Sequence, residues 1–419
     1  MTAVGAPAVP GLAPAGAARS GFGHAATSSP AHDRTRWRID VEARALMLVS
    51  ATLLAFGLAT LYSASAFTAV EMKRDSYFFL LRQLSGVAIG TVIFAVAAKV
   101  DAERWQKHAW LLMFLAIGGM LLTVLPFTQS IAPPILGARR FLFGGSVQPS
   151  EFAKLAVVIW TAMLVVKKGE LMRRFSQGML PIASVIGVLA VLAALEPDMS
   201  VVIFFALQMG VIVFAAGGRL GHFVLLGLLA IPIVWEKAQR LQYVMERLLG
   251  FADAAGVAHA TVNYQLKQSL IAVGSGGFFG VGFGEGRQQN GFLPLSYDDF
   301  IGSSIGEEWG FVGMAGVTML YATWGWLGFR IAKKAQTRFQ QLVAIGLTVT
   351  MLVTAYLHLG VVTGLLPTTG LTLPFMSYGR SNLILSMLMT GILVNIGSAR
   401  ERIVGGGATN PLAGAPRRA

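Results

Sequence analysis

Four carboxylates, Asp298, Asp299, Glu307 and Glu308, crowd into the stretch NGFLPLSYDDFIGSSIGEEWGFVG, residues 290–313. Asp298 and Asp299 are adjacent, so their side chains leave the chain in different directions and at most one is expected to turn inward. One carboxylate beside cations and a cavity is the minimum equipment for a general base in a transfer reaction. Glu307 and Glu308 fall at the start of an apolar run, where negative charge complements a helix dipole. No histidine is well placed as a rival: His222 lies on the expected inner side, and His259 and His358 lack an acidic partner close in sequence. With six His and no Cys, no metal-ligand spacing emerges, and disulfides are excluded.

Four other stretches carry polar groups. GARRFLFGGSVQPSEFAKL, residues 137–155, holds Arg139 and Arg140, then Glu151 and Lys154 at a spacing that shares one helix face. Two readings stand: an internal ion pair, or an anion site in which guanidinium grips phosphate oxygens. ALEPDMS, 194–200, surrounds Pro197 with Glu196 and Asp198; Asp198 reads as a helix N-cap before it reads as catalytic. GLLPTTGLTLPFMSYGRSN, 364–382, is broken by Pro and Gly and offers hydroxyls from Thr368, Thr369, Ser377 and Tyr378. Broken backbone at membrane depth is tolerated where protein buries it or a cavity takes it, so this is a candidate cavity wall. GSGGFFGVGFGEG, 274–286, lacks the strand and βαβ setting of a phosphate cradle and reads as close backbone packing or a hinge.

The elements that must position these groups follow from composition. The chain has 419 residues, 55% hydrophobic and 13% charged, with a mean hydropathy of +0.65. Soluble domains carry about a quarter charged residues. Several nearly uncharged windows have the length that crosses a bilayer as a helix. The fold class is therefore an all-α polytopic membrane protein. The apolar runs predict ten spans, at 44–67, 77–98, 107–127, 149–166, 178–195, 199–217, 221–236, 304–329, 339–363 and 379–398. Residues 1–43 and 399–419 are expected as tails outside a transmembrane domain of 44–398, with 1–38 too poor in large apolar residues to fold. The net charge of +13 fits loops that orient spans better than it fits nucleic acid. Lys and Arg concentrate on the side that carries both termini, which predicts cytoplasmic termini and places residues 237–303 outside. Amphipathic pieces there, such as YVMERLLGFADA, suggest short interfacial helices.

Taken together, LYSASA, FLLRQL, GARRF with QPSEFAKL, EPDMS, YQLKQSLIAVGSGGFFGVGFGEG, FLP…DFI…IGEEWGFVG and PTTGLTLPFMSYG resemble the SEDS family (shape, elongation, division and sporulation) in order. These are the peptidoglycan glycosyltransferases that include FtsW and RodA. The resemblance implies polymerisation of lipid II into β-1,4 glycan at the outer face of a bacterial inner membrane. It places the family's catalytic aspartate at Asp299 and its arginine at Arg140. With the stretches above, the expected substrate-binding set is Arg140, Glu151, Lys154, Asp198, Ser377 and Tyr378. Three positions depart from the family pattern: Phe141 for Trp, Leu295 for Glu, and Arg380 for Gly. The implied partners are lipid II, a class B penicillin-binding protein, other division proteins and membrane lipids. No cofactor is implied, and a divalent cation stays compatible. The long N-terminal tail leans towards the division type over the elongation type. A lipid II flippase is the alternative, since broken helices and intramembrane charges such as Arg82 and Lys154 also suit transport.

Overall fold

The computed structural model describes residues 34–134, 139–145, 147–219, 221–228, 231, 251 and 260–403. The chain divides into two compact units, Met1–Trp37 with Arg400–Ala419, and Arg38–Ala399. The described residues of the first belong to two paired strands, β1 (Arg34–Ile39) and β2 (Ser398–Ile403), where the sequence reads as tail. Residues 1–33 and 404–419 lie outside the described residues, as does most of the YVMERLLGFADA segment.

The second unit is helical. Its elements are α1 (Val41–Glu71), α2 (Phe78–Lys99), α3 (Ala102–Lys107), α4 (Ala109–Val124), α5 (Pro149–Lys168), α6 (Leu180–Leu195), α7 (Met199–Ala215), α8 (Ala260–Ser275), α9 (Ile301–Lys334), α10 (Arg338–Val362) and α11 (Arg380–Ile396). Among the described residues, five helices are long and apolar enough to cross a membrane, and α4, α7 and α11 are shorter apolar helices. Of the expected span at 221–236, residues 221–228 are helical and most of the rest lies outside the described residues. Leu81, Val92 and Val96 on α2, and Phe114 and Leu115 on α4, point outward and exposed, as a lipid solvent permits.

Helix α5 is the axis of the bundle and packs against α4, α7, α10 and α11. It starts with Pro149 at its first turn, where the missing N–H costs nothing. It is buried nearly all round, Trp160 included, as a helix at the centre of a bundle must be. Elsewhere small residues let helices touch: a Cβ on Gly391 of α11 would lie 2.8 Å from the Phe94 carbonyl oxygen of α2. The α6–α7 break falls where Pro197 predicts it. Glu196 ends α6, and the Asp198 carboxylate caps α7 by accepting from the Val201 N–H at 3.3 Å.

Helix α9 begins before the expected span and contains one non-helical residue, Gly310, at φ 62 and ψ −156. The glycine-rich stretch lies against this break. Val281 N–H donates to the Glu307 carbonyl at 3.0 Å, Gly282 N–H to Glu308 at 3.1 Å, and Phe311 N–H to Gly277 at 2.9 Å. A Cβ on Gly276 would stand 1.9 Å from the Gly306 oxygen, so the glycines serve backbone contact. Gly276→Ala must push α8 off α9, and overpacking of this kind costs about 1–3 kcal/mol. Its thermal unfolding in detergent is expected several degrees below wild type; an unchanged transition would show that the contact is slack.

Candidate functional site

Two irregular segments, 276–300 and 364–379, meet at one end of α9 and carry most of the expected site. Glu307 and Glu308 do not sit at the dipole end of a helix, as the sequence suggests. They lie inside α9, each 2% exposed, and accept hydrogen bonds from the loop. Glu307 takes the N–H groups of Arg287 at 2.8 Å and Gln288 at 3.1 Å. Glu308 takes Gly284 N–H at 3.1 Å, the Gln289 amide at 2.9 Å and the Ser63 hydroxyl. They organise the loop and are spent on doing so.

The DDF turn is built on Leu295, whose φ of 57 is uncommon for a branched residue. Its carbonyl accepts from Asp298 N–H at 3.0 Å and Phe300 N–H at 3.2 Å. The turn is then tied down from three sides. Ser296 donates to the Ala64 carbonyl of α1 at 3.1 Å. Ser377 donates to the Asp298 carbonyl at 2.8 Å while its oxygen accepts Leu373 N–H at 2.8 Å. Tyr378 N–H donates to the Tyr297 carbonyl at 3.0 Å. Ser377 therefore acts through the backbone, and its hydroxyl is engaged.

Asp299 is half-buried. A Cβ on Gly370 would lie 3.7 Å from its Oδ2, which places the carboxylate against the broken PTTG segment. Adjacency suggests that at most one aspartate turns inward, yet Asp298 and Asp299 are both half-buried. Its Oδ1 is buried and accepts no hydrogen bond among the described residues. Burial, then the charges of Asp299 and Glu151, hold its carboxyl well above the usual range. Glu151 and Lys154 of α5 thus belong to the same neighbourhood. They pair at 2.6 Å, both buried, with Lys154 Nζ 5.2 Å from the Phe204 ring centroid.

Tyr378 closes the site with aromatic neighbours: Phe79 lies 5.1 Å away and Tyr297 5.9 Å, centroid to centroid. Burial raises the Tyr378 hydroxyl's pKa, against the opposing pull of Arg82 and Arg380. Burial pushes Tyr297 up to about 12. Two residues to which the sequence assigned no role complete the frame. Gln83 of α2 donates to the Ser377 carbonyl at 3.1 Å and accepts from Gly379 N–H at 3.2 Å. His358 of α10 contacts the Leu371 carbonyl through Nδ1 at 2.8 Å and accepts Gly302 N–H on Nε2 at 3.3 Å, which fixes the proton on Nδ1. A lone amide or imidazole in an apolar run was the available signal.

Arg140 is committed to the α6–α7 junction. Its Nε donates to the Glu196 carbonyl at 3.0 Å, its Nη2 to the Pro197 carbonyl, and its Nη1 stands 3.8 Å from Asp198. Asp198 is a cap and ion-pair partner. The junction reaches the 364–379 segment through Ser200, which donates to the Thr369 carbonyl at 2.8 Å. Among the described residues, no cluster of three or more His, Cys, Asp or Glu could hold a metal ion.

The fold and these buried polar frames define a multi-pass helical membrane protein. The family model FtsW/RodA/SpoVE, a cell cycle protein family, matches residues 44–402, and the chain belongs to that family. It is 37% identical over 357 residues to the "Probable peptidoglycan glycosyltransferase FtsW" of Trichlorobacter lovleyi, covering 84% of this chain and 92% of that one. It is 34% identical over 357 residues to stage V sporulation protein E of Bacillus subtilis, covering 84% and 95%. A solved peptidoglycan synthase complex that coordinates polymerization and crosslinking superposes with a TM-score of 0.70 at 24% identity, over 86% of this chain and 97% of that one. Thermus thermophilus RodA does so at 0.61 and 24%, over 86% and 96%.

Glu196 supports a pH prediction. It is 2% exposed, hydrogen-bonded to Thr123, and burial raises its pKa to about 8. An unfolded Glu loses its proton near pH ~4.3. Between those values the native state holds the extra proton, so stability is full below the unfolded pKa and falls as pH rises through about 8. Glu196→Gln keeps the neutral shape and is expected to flatten the decline of the melting temperature from pH 5 to pH ~9. An equal decline in the variant would remove Glu196 as its cause.

Proposed function

We propose that this chain is a peptidoglycan glycosyltransferase that polymerises lipid II, with Asp299 as the general base. The observation that carries the reading is the half-buried Asp299 carboxylate, held by a fixed turn against the broken 364–379 segment in a chain of this family. The Lys and Arg asymmetry supports cytoplasmic termini and an outward-facing 237–303 segment, which would bring Asp299 to the extracytoplasmic face. The likeness to a synthase that couples polymerization to crosslinking supports a class B penicillin-binding protein as partner, and the FtsW relatives support a place at the division septum.

The chemistry is a displacement at an anomeric carbon. The 4-hydroxyl of the acceptor sugar gives its proton to Asp299 as its oxygen bonds to C1 of the donor sugar. The C1–O bond to the lipid diphosphate breaks, and the diphosphate leaves with the electron pair. Positive charge is needed on the leaving-group side. Arg140 uses two of its five donors on carbonyls and keeps others for phosphate. Lys154 contributes a buried charge oriented by Glu151. Tyr378, among its aromatic neighbours, offers a stacking surface and a hydroxyl to a sugar.

Asn is nearly isosteric with Asp and cannot take a proton at neutral pH. Asp299→Asn is expected to lose polymerisation by about 10²–10⁴-fold while still folding and binding lipid II. The measurement uses purified protein, labelled lipid II, the partner transpeptidase and glycan chains resolved on a gel. Near wild-type polymer from the variant would reject the base assignment. Supplying substrate on the outer side separates the two activities, because a polymerase makes glycan there and a flippase has nothing left to do. Arg140→Ala should weaken lipid II binding by about 1.5–3 kcal/mol. Unchanged binding in a folded variant would leave Arg140 as a brace for the α6–α7 junction.

A further inference from the structure

Helix α9 gives up hydrogen bonds of its own at Gly310. In an unbroken helix the N–H of Phe311 donates to the Glu307 carbonyl and that of Val312 to Glu308. Here Phe311 N–H donates to the Gly277 carbonyl at 2.9 Å and Val312 N–H to Phe278 at 3.1 Å. The freed carbonyls of Glu307 and Glu308 accept the N–H groups of Val281 and Gly282 instead. Residues 277–282 are thus spliced into the helix, level with 307–312. Helix α8 descends to that level along α9: Ser269 bonds Ser303 at 2.6 Å, and Gly277 then meets Phe311.

Helix α1 measures how deep the level is. After the loop the chain meets the end of α1, where a Cβ on Gly291 would lie 3.3 Å from the Phe67 ring and Ser296 donates to the Ala64 carbonyl at 3.1 Å. Trp309 meets Phe56 instead, with ring centroids 5.3 Å apart. Phe56 stands in the middle of α1 (Val41–Glu71). From Phe67 back to Phe56 is ~16 Å along the helix axis, about half of a hydrocarbon core ~30 Å thick. No charged residue stands between Lys267 and Glu285.

The side chains turned outward at that depth are aromatic. Phe279 is 79% exposed, with Phe278, Phe283 and Phe311 exposed beside it. Phe278 stacks on Phe311 at 5.5 Å and meets Phe279 edge-on at 4.9 Å. The patch continues the exposed apolar side of α9 at Val312 and Met319. Lipid tolerates irregular backbone only where protein takes up its polar groups. Here Gly284 N–H is taken by the Glu308 carboxylate, and Arg287 and Gln288 N–H by Glu307. The two glutamates therefore satisfy the loop from the protein side and leave its rings to the other.

We propose that α8 and residues 276–290 form a re-entrant hairpin, which dips into the bilayer from the side of the DDF turn and returns to it, and that Phe278, Phe279 and Phe283 are its contact surface for the acyl chains of that leaflet. Lipid is the occupant because the patch lies at hydrocarbon depth and is continuous with the outward side of a spanning helix. The chain runs on from the hairpin into the DDF turn, so lipid contact sets the depth of that turn. The inference uses α1 and α9 as spans and none of the chemistry assigned to Asp299.

The chain has no cysteine, so one introduced thiol reports one position. A nitroxide is attached to Phe279→Cys in the full chain, reconstituted in phosphatidylcholine liposomes. Its collision rates with oxygen, which concentrates in hydrocarbon, and with a water-soluble nickel chelate are read by electron paramagnetic resonance. Phe114→Cys on the outward side of α4 and Asn290→Cys beyond the hairpin, both exposed positions, are the lipid and water references. The label at Phe279 is expected to match Phe114, with frequent oxygen and rare nickel collisions. Frequent nickel collisions, as at Asn290, would put the loop in water and overturn the proposal. A label that meets neither reagent would show protein packed over the patch and would overturn it too. If Phe279→Cys does not fold, Phe283→Cys carries the label and the same outcomes apply.

Discussion

The site exists because irregular backbone inside an apolar bundle must find every hydrogen-bond partner within the protein. In lipid, an unsatisfied N–H or C=O costs several kcal/mol, which is comparable to a large share of a domain's net stability. Segments 276–300 and 364–379 meet that demand with side chains drawn from four helices. Glu307 and Glu308 of α9 take loop N–H groups. Gln83 of α2 bridges Ser377 and Gly379. His358 of α10 joins Gly302 to Leu371, and Ser63 of α1 completes the shell of Glu308. Removing any one leaves a buried polar group without a partner, so the two segments are fixed as a unit.

That fixing is what the proposed role of Asp299 as a base requires. Asp299 is on a turn, and turns are poor platforms unless other elements hold them. Here the turn contains Leu295 at positive φ, and the 364–379 segment that ties it down contains Phe375, also at positive φ of 66. Strain of this kind costs of order 1–3 kcal/mol and persists only where surrounding contacts over-determine it. Helix α1 provides one such contact: a Cβ on Gly57 would lie 2.7 Å from the Met376 Cα, so the segment is pressed from behind. Rigidity and strain come from the same contacts.

The electrostatics follow a similar economy. Buried charges in a membrane protein are costly unless paired. Lys154 has Glu151, and Arg140 has two carbonyls and Asp198. The cations are committed within the fold before any substrate arrives, which orients them. Arg140 holds the α6–α7 junction, and through Ser200 that junction touches the segment facing Asp299.

The sequence alone determined the class, most of the helices and the family. Apolar runs of bilayer length leave a bundle as the available solution, and Pro197 marks a break that no packing could remove. Seven ordered stretches carried the family resemblance that the matches to known proteins bear out. What the sequence could not decide was which polar groups are spent on structure. Glu307 and Glu308 read as dipole partners and proved to be buried acceptors for a loop that starts more than twenty residues upstream. Ser377 read as a wall hydroxyl and proved to hold Asp298 in place. Adjacency left room for one inward aspartate, yet Asp298 and Asp299 are both half-buried and Asp298 Oδ1 is buried. Side-chain direction in an irregular turn depends on φ and ψ, which local periodicity does not encode. Partners such as Gln83 and Ser377 lie nearly three hundred residues apart, and only the tertiary fold brings them to hydrogen-bond distance.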